Sequence, residues 1–146
     1  MSVDPQKDCF VDTNILVYAF DHSAGPKHAI AAQLVRDCWK NETGHLSIQV
    51  LQEFFVNLTQ KIAAPLEHQT ARQIVADLAQ WGAHSPEAGD LLQAIDFQER
   101  YLLSFWDAMI VQSAVHLGCK QLVSEDLNHG QIYGDAQVIN PFRETD

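Results

Sequence analysis

CFVDTNILVYAF (Cys9–Phe20) reads as a short buried strand running straight into a helix. CFVD, Cys9–Asp12, reads as the first, central strand, built on an apolar run. Asp12 then places a carboxylate at the strand's C-terminal end, and Thr13–Phe20 carries its apolar residues at helical spacing. Outward from this unit, short apolar runs alternate with longer amphipathic ones, the pattern of an α/β domain with a mostly parallel sheet. A turn is expected at His22–Pro26. A helix follows over Lys27–Asn41, with Ile30, Leu34 and Cys38 on one face and Gly44 as its stop. His45–Ile48 reads as a strand. Val50–Lys61 reads as a helix striped by Val50, Phe54 and Leu58. A helix after Pro65 is expected to reach Trp81, and another to start at Ser85–Pro86, with Ser85 as N-cap, and to carry Leu91, Leu92 and Ile95 as far as Arg100. Ser104–Leu117 is the last helix, with Ser104 and Asp107 at capping spacing and Gly118 closing it. Gln121–Ser124 and Gln137–Asn140 read as strands, with a loop at Asn128–Gly130.

A chain of 146 residues with 47% hydrophobic residues fits one domain, residues 1–146, and needs neither disulfides nor a structural metal to fold. Cys9, Cys38 and Cys119 are odd in number and widely spaced, which points away from a disulfide scaffold or a cysteine zinc cluster and towards a reducing compartment. No signal peptide or membrane-length apolar run is visible, so a cytoplasmic location is expected. The net charge of −10 opposes the approach of nucleic acid. Assigning four of those charges to a metal site leaves about −6 to be met by local basic patches or by a partner.

Four acids are candidates for a site, and three of them fall at the ligand-binding edge of a parallel sheet or at a helix N-terminus facing it. Asp12 follows the first strand, and Asp126 follows the strand ending at Ser124. Asp107 lies in the first turn of the last helix, and Glu53 in the early turns of the Val50 helix. Strand C-termini share one edge of such a sheet, and ligands bind there. Carboxylates gathered at one point repel one another, and a hard divalent cation removes that cost. Each acid also has an ordinary reading: Asp12 and Asp107 as helix caps, Glu53 as a solvated side chain, and either Asp126 or Glu125 as plain surface. Thr13, Asn14, Asn57 and Asn128 are candidates to orient the acids or hold a water. Lys27, Arg36, Lys40 and Lys61 could touch phosphate, and Tyr18 and Trp106 could stack on bases; a solvated helix face or core packing serves equally for each. His129 could touch substrate or simply hold its loop. Trp39, Trp81, Phe97 and Tyr101 could line an interface or the core.

Four segments carry a family likeness: VDTNILVYAFD, LSIQVLQEFF, LSFWDAMIVQSAVHLGC, and LVSEDLNHGQ with VINPF. In this order and spacing the chain resembles the PIN-domain nucleases, and within them the VapC-type toxins of toxin–antitoxin pairs. The resemblance implies a three-layer α/β/α domain with a mostly parallel sheet of about five strands. It implies that Asp12, Glu53, Asp107 and Asp126 form an acidic site for Mg²⁺ or Mn²⁺, supported by Thr13, where metal-activated water hydrolyses RNA to 5′-phosphate and 3′-hydroxyl ends. It also implies a homodimer and an antitoxin that blocks the site. A Rossmann-like phosphatase would need a second aspartate two residues after Asp12, where Asn14 stands. A flap-type DNA substrate would call for an extension that this short chain lacks. A non-catalytic binding module would be expected to lose acids, and all four are present.

Overall fold

A computed structural model describes residues 1–143. The strands are β1 (Cys9–Val11), β2 (Gly44–Ser47), β3 (Ala83–His84), β4 (Gln121–Val123), β5 (Ile132–Tyr133) and β6 (Ala136–Ile139). The helices are α1 (Thr13–Phe20), α2 (Pro26–Asn41), α3 (Ile48–Val56), α4 (His68–Leu78), α5 (Ala88–Tyr101) and α6 (Phe105–His116). One six-stranded sheet has the order β3-β2-β1-β4-β6-β5. Every pairing is parallel except the β5–β6 hairpin.

Crossovers between parallel strands are right-handed. The steps β1→β2→β3 move one way across the sheet and β3→β4 moves back, so α1–α4 cover one face and α5–α6 the other. This is a three-layer α/β/α fold with a mostly parallel sheet. Where the resemblance implies about five strands there are six. β3 and β5 have two residues each, too short for any periodicity, and exist only because neighbouring strands pair with them.

The core follows from the apolar runs. Phe10, Val11, Leu122 and Val123 of the central strands are fully buried, as are Val50, Phe54 and Leu58. That last stripe ends in a π-turn at Asn57–Lys61 rather than in continued α-helix. Several boundaries differ from expectation. α2 buries Ala31, Leu34, Val35 and Cys38, while Ile30 is exposed: the stripe is rotated by one residue. Glu42, in the left-handed region at φ 55°, ends that helix, and Gly44 belongs to β2. Gly44 is needed there because the Trp81 ring lies where a Cβ would stand, 2.5 Å away. α4 starts at His68, not at Pro65. α5 starts after Glu87, not Ser85, because Glu87 and Asp90 cap each other's backbone reciprocally. Its Leu91, Leu92 and Ile95 face outward and are exposed, and only Ala94 is buried. Trp39 and Trp81 meet edge to face, and Phe97 and Tyr101 pack against the core. All three cysteines are buried free thiols.

Candidate active site

The strand order reverses between β1 and β4, and the crevice at such a switch point is where open α/β sheets bind ligands. Asp12 and Asp126 stand just beyond these two strands. The Asp12 amide donates to the Val123 carbonyl (3.0 Å), extending the ladder by one bond and fixing where the carboxylate begins. Asp12 caps α1: one carboxylate oxygen accepts from the Thr13 amide (2.7 Å), and the other accepts from the Ser124 hydroxyl (2.7 Å). The same Ser124 oxygen accepts from the Asp126 amide (3.1 Å), so one buried hydroxyl spans both acids.

Glu53 comes from α3 on the covering layer. Thr13 Oγ1 donates to one of its oxygens (3.2 Å) and Gln49 Nε2 to the other (2.8 Å). Asn14 Nδ2 donates to Asp126 Oδ2 (2.8 Å), and Asn14 Oδ1 accepts from the Glu125 amide (3.4 Å). Thr13, Asn14, Glu53, Asn57 and Asp126, with Val17 and Tyr18, line one cleft of about 350 Å³. Asn57 turns its amide to the Glu53 backbone carbonyl (2.8 Å), bonding the backbone of that residue and not its carboxylate.

Asp107 lies in the first turn of α6, where Ser104 Oγ accepts from its amide (3.2 Å). Gln49 Nε2 links this turn to Glu53 by also donating to the Trp106 carbonyl (3.2 Å). Among the described residues no hydrogen bond joins the Asp107 carboxylate to the other three acids. Asn128 is exposed and lies outside the cleft lining. His129 Nδ1 accepts from the Asn140 amide (3.0 Å), which makes it a loop staple.

Electrostatically the cluster is held against its own repulsion. Asp12 is only 6% exposed. Burial pushes its carboxyl up to about 6, Asp126 and Glu53 add to the rise, and the Ser124 and Thr13 hydrogen bonds restrain it. Among the described residues none of the four acids is ion-paired with Lys, Arg or His. Lys27 is committed elsewhere: it pairs with Glu125, which also accepts from the Tyr18 hydroxyl (2.7 Å), and lies over the Tyr18 ring. Lys27 and Tyr18 are therefore tied to each other through Glu125. An all-oxygen set around an open cleft suits a hard ion that keeps several of its waters, such as Mg²⁺ or Mn²⁺. Beside this cleft a second one, of about 550 Å³, runs along Gln49, Gln52, Glu53, Val56, Asn57, Lys61 and Trp106. Trp106 is 64% exposed, so its ring is a surface feature and not core packing.

A different group of metal-capable side chains escapes sequence reading. His84, Asp90 and His116 bring three ligand atoms within 4.8 Å of one another. They come from a two-residue strand and opposite ends of two helices, with no motif spacing to announce them. None of the three lines the cleft of Glu53 and Asp126, and His116 is nine residues from Asp107 on one helix, about 14 Å along its axis.

Among the described residues no helix is long and apolar enough to cross a membrane. No curated protein matches the chain. The family model for the PIN domain matches residues 9–135, from the first residue of β1 to the turn before β6. That span takes in every strand but the last and both strand ends that carry acids, and the chain accordingly belongs to the PIN domain family.

Proposed function

We propose that the protein is a Mg²⁺- or Mn²⁺-dependent endoribonuclease, the VapC-type toxin of a type II toxin–antitoxin pair, built as a single PIN-like domain over residues 1–146. The observation that carries this reading is the unpaired acid cleft. Asp12, Glu53 and Asp126 stand at the switch point, with no cationic side chain paired to them among the described residues and with two hydroxyls and two side-chain amides to orient them. Asp107 completes the set from the first turn of α6. When bound, a divalent ion supplies charge neutralisation at the phosphoryl oxygens and makes water a competent nucleophile near neutral pH. In the reaction, water oxygen bonds to phosphorus, the bond to the 3′-oxygen breaks, and the proton lost by water balances the one gained by the 3′-hydroxyl.

The residues divide this work. Ser124 and the Thr13 amide hold the Asp12 carboxylate in one rotamer, ready to ligate without reorganisation. Thr13 and Gln49 do the same for Glu53, and Asn14 for Asp126. Trp106 offers a stacking face and Lys61 a phosphate contact in the adjoining groove, which suits a single-stranded or looped RNA. The −10 charge favours a short RNA footprint, and it favours an antitoxin segment bearing arginines that fills the acid cleft in place of the metal. The outward Leu91, Leu92 and Ile95 of α5 supply apolar surface for the proposed homodimer. A cytoplasmic location follows from this role.

The test compares wild type with Asp12→Asn on defined RNAs, with Mg²⁺ or with EDTA. Cleavage that requires both the metal and Asp12, and leaves 5′-phosphate ends, supports the reading. Cleavage indifferent to both rejects it, and binding of RNA without cleavage makes the chain a non-catalytic PIN-fold module.

A further inference from the structure

His84 closes β3 at the edge of the sheet, Asp90 stands in the first turn of α5, and His116 is the last residue of α6. His84 Nε2 lies 3.3 Å from one Asp90 oxygen, and His116 Nδ1 lies 3.3 Å from the other. A tetrahedral ion with bonds of about 2.0–2.1 Å holds its ligand atoms about 3.3 Å apart. As placed, the two imidazoles stack at 4.2 Å with planes 16° apart. Convergence on one ion requires the His116 ring to turn, and its side chain is 50% exposed and free to do so.

The surroundings of the fixed ligands are built, not incidental. Ser113 is buried and its Oγ lies 2.8 Å from His84 Nδ1, the nitrogen that must carry the proton if Nε2 binds a cation. Asp90 accepts from the Glu87 amide (2.9 Å) and from Gln112 Nε2 (2.8 Å). Gln112 is fully buried on α6 and donates a second bond to Gln93 Oε1 (3.0 Å), while its own Oε1 has no partner among the described residues. The helix thus buries an amide, with one oxygen left unsatisfied, in an arrangement that orients Asp90. Burial lowers the pKa of His84, and the neighbouring His116 adds to the fall while Asp90 opposes it.

We propose that His84, Asp90 and His116 form a second divalent-metal site, selective for a borderline transition ion of the Zn²⁺ class, that ties the edge strand β3 and the start of α5 to the end of α6. Two imidazoles and one carboxylate suit Zn²⁺ and not Mg²⁺, which prefers oxygen throughout. The exposed side of His116 leaves the fourth position to water. His116 is about 14 Å along α6 from Asp107 and none of the three ligands lines the acid cleft, so the assignment does not depend on the proposed nuclease reading.

The test uses the full chain, stripped with a chelator, in excess Mg²⁺ to occupy the acid cleft, and titrated with Co²⁺ as a visible probe. One equivalent should bind with the absorption of four-coordinate Co²⁺ and be displaced by Zn²⁺. Saturating Zn²⁺ should raise the melting temperature by roughly 5–10 °C. His116→Ala, a change at a half-exposed position, should weaken uptake at least tenfold, Asp90→Asn should do likewise, and Asp12→Asn should leave it unchanged. No Co²⁺ band in wild type, equal uptake by His116→Ala, or uptake lost in Asp12→Asn would overturn the assignment. A stability that follows pH but ignores Zn²⁺ would also overturn it, leaving the cluster as an ion-pair network.

Discussion

Replacing Asp12 by Asn should stabilise the protein in the absence of divalent metal, even as it removes a proposed metal ligand. Burial and the neighbouring acids raise this carboxyl from its ordinary 3.8 to about 6. The folded protein therefore holds the Asp12 proton more tightly than the unfolded chain does. Stability is full below the unfolded value and falls as pH climbs through the window from about 4 to 6. At about 1.4 kcal/mol per pH unit, the ionised carboxylate costs about 3 kcal/mol above that window. The side chain is nearly fully buried, so solvent screening removes little of this. Asn keeps an oxygen for the Thr13 amide, and its amide can donate to Ser124 in place of the bond that Ser124 now donates. The geometry is imperfect after that reversal, which reduces the gain to about 1–3 kcal/mol. Urea unfolding in EDTA at pH 7.5 and at pH 4 measures it. The variant should gain at pH 7.5 and show little gain at pH 4, and Mg²⁺ should stabilise wild type more than the variant. An Asp12→Asn protein that is less stable at pH 7.5, or a gain equal at both pH values, would refute the electrostatic account of this site.

Ser124→Ala removes a restraint on the Asp12 pKa, so the acid limb of the pH–rate profile should move to higher pH; the unsatisfied Asp12 oxygen should cost about 1–2 kcal/mol by denaturant unfolding. Trp106→Ala, at an exposed position, should change stability by less than about 0.5 kcal/mol, yet raise KM for RNA by roughly tenfold through loss of one stacked base. Gly44→Ala puts a methyl group 2.5 Å from the Trp81 ring and should destabilise by about 1–3 kcal/mol in thermal melts, with Trp81 fluorescence shifting in the folded state.

The fold was legible wherever local chemistry agrees with the final packing. The apolar Cys9–Val11 run followed by Asp12 is both a strand and its end, because an uninterrupted apolar triplet must be covered on both sides and the first polar group after it marks the sheet's rim. Val50, Phe54 and Leu58 had to share a face in any helical geometry, and all three are buried. Ser104 capped its helix as its spacing to Asp107 suggested. α5 shows the limit of that reasoning. Its apolar Leu91, Leu92 and Ile95 look outward, because which face of a helix meets the sheet depends on its neighbours, and Ala94 permits the closer approach.

Composition and pattern by themselves determined the α/β class, the main helices, the four strands long enough to show a pattern, and the acids near strand and helix ends, since each of these follows from burial and local hydrogen bonding. Tertiary structure decided what depends on side chains meeting across long stretches of chain. It gave β3 and β5 their pairing, tied Lys27 to Glu125, let Ser124 span Asp12 and Asp126, and brought ligand atoms of His84, Asp90 and His116 within 4.8 Å of one another. Distances between residues tens of positions apart are fixed by the packing of layers, which no local spacing encodes.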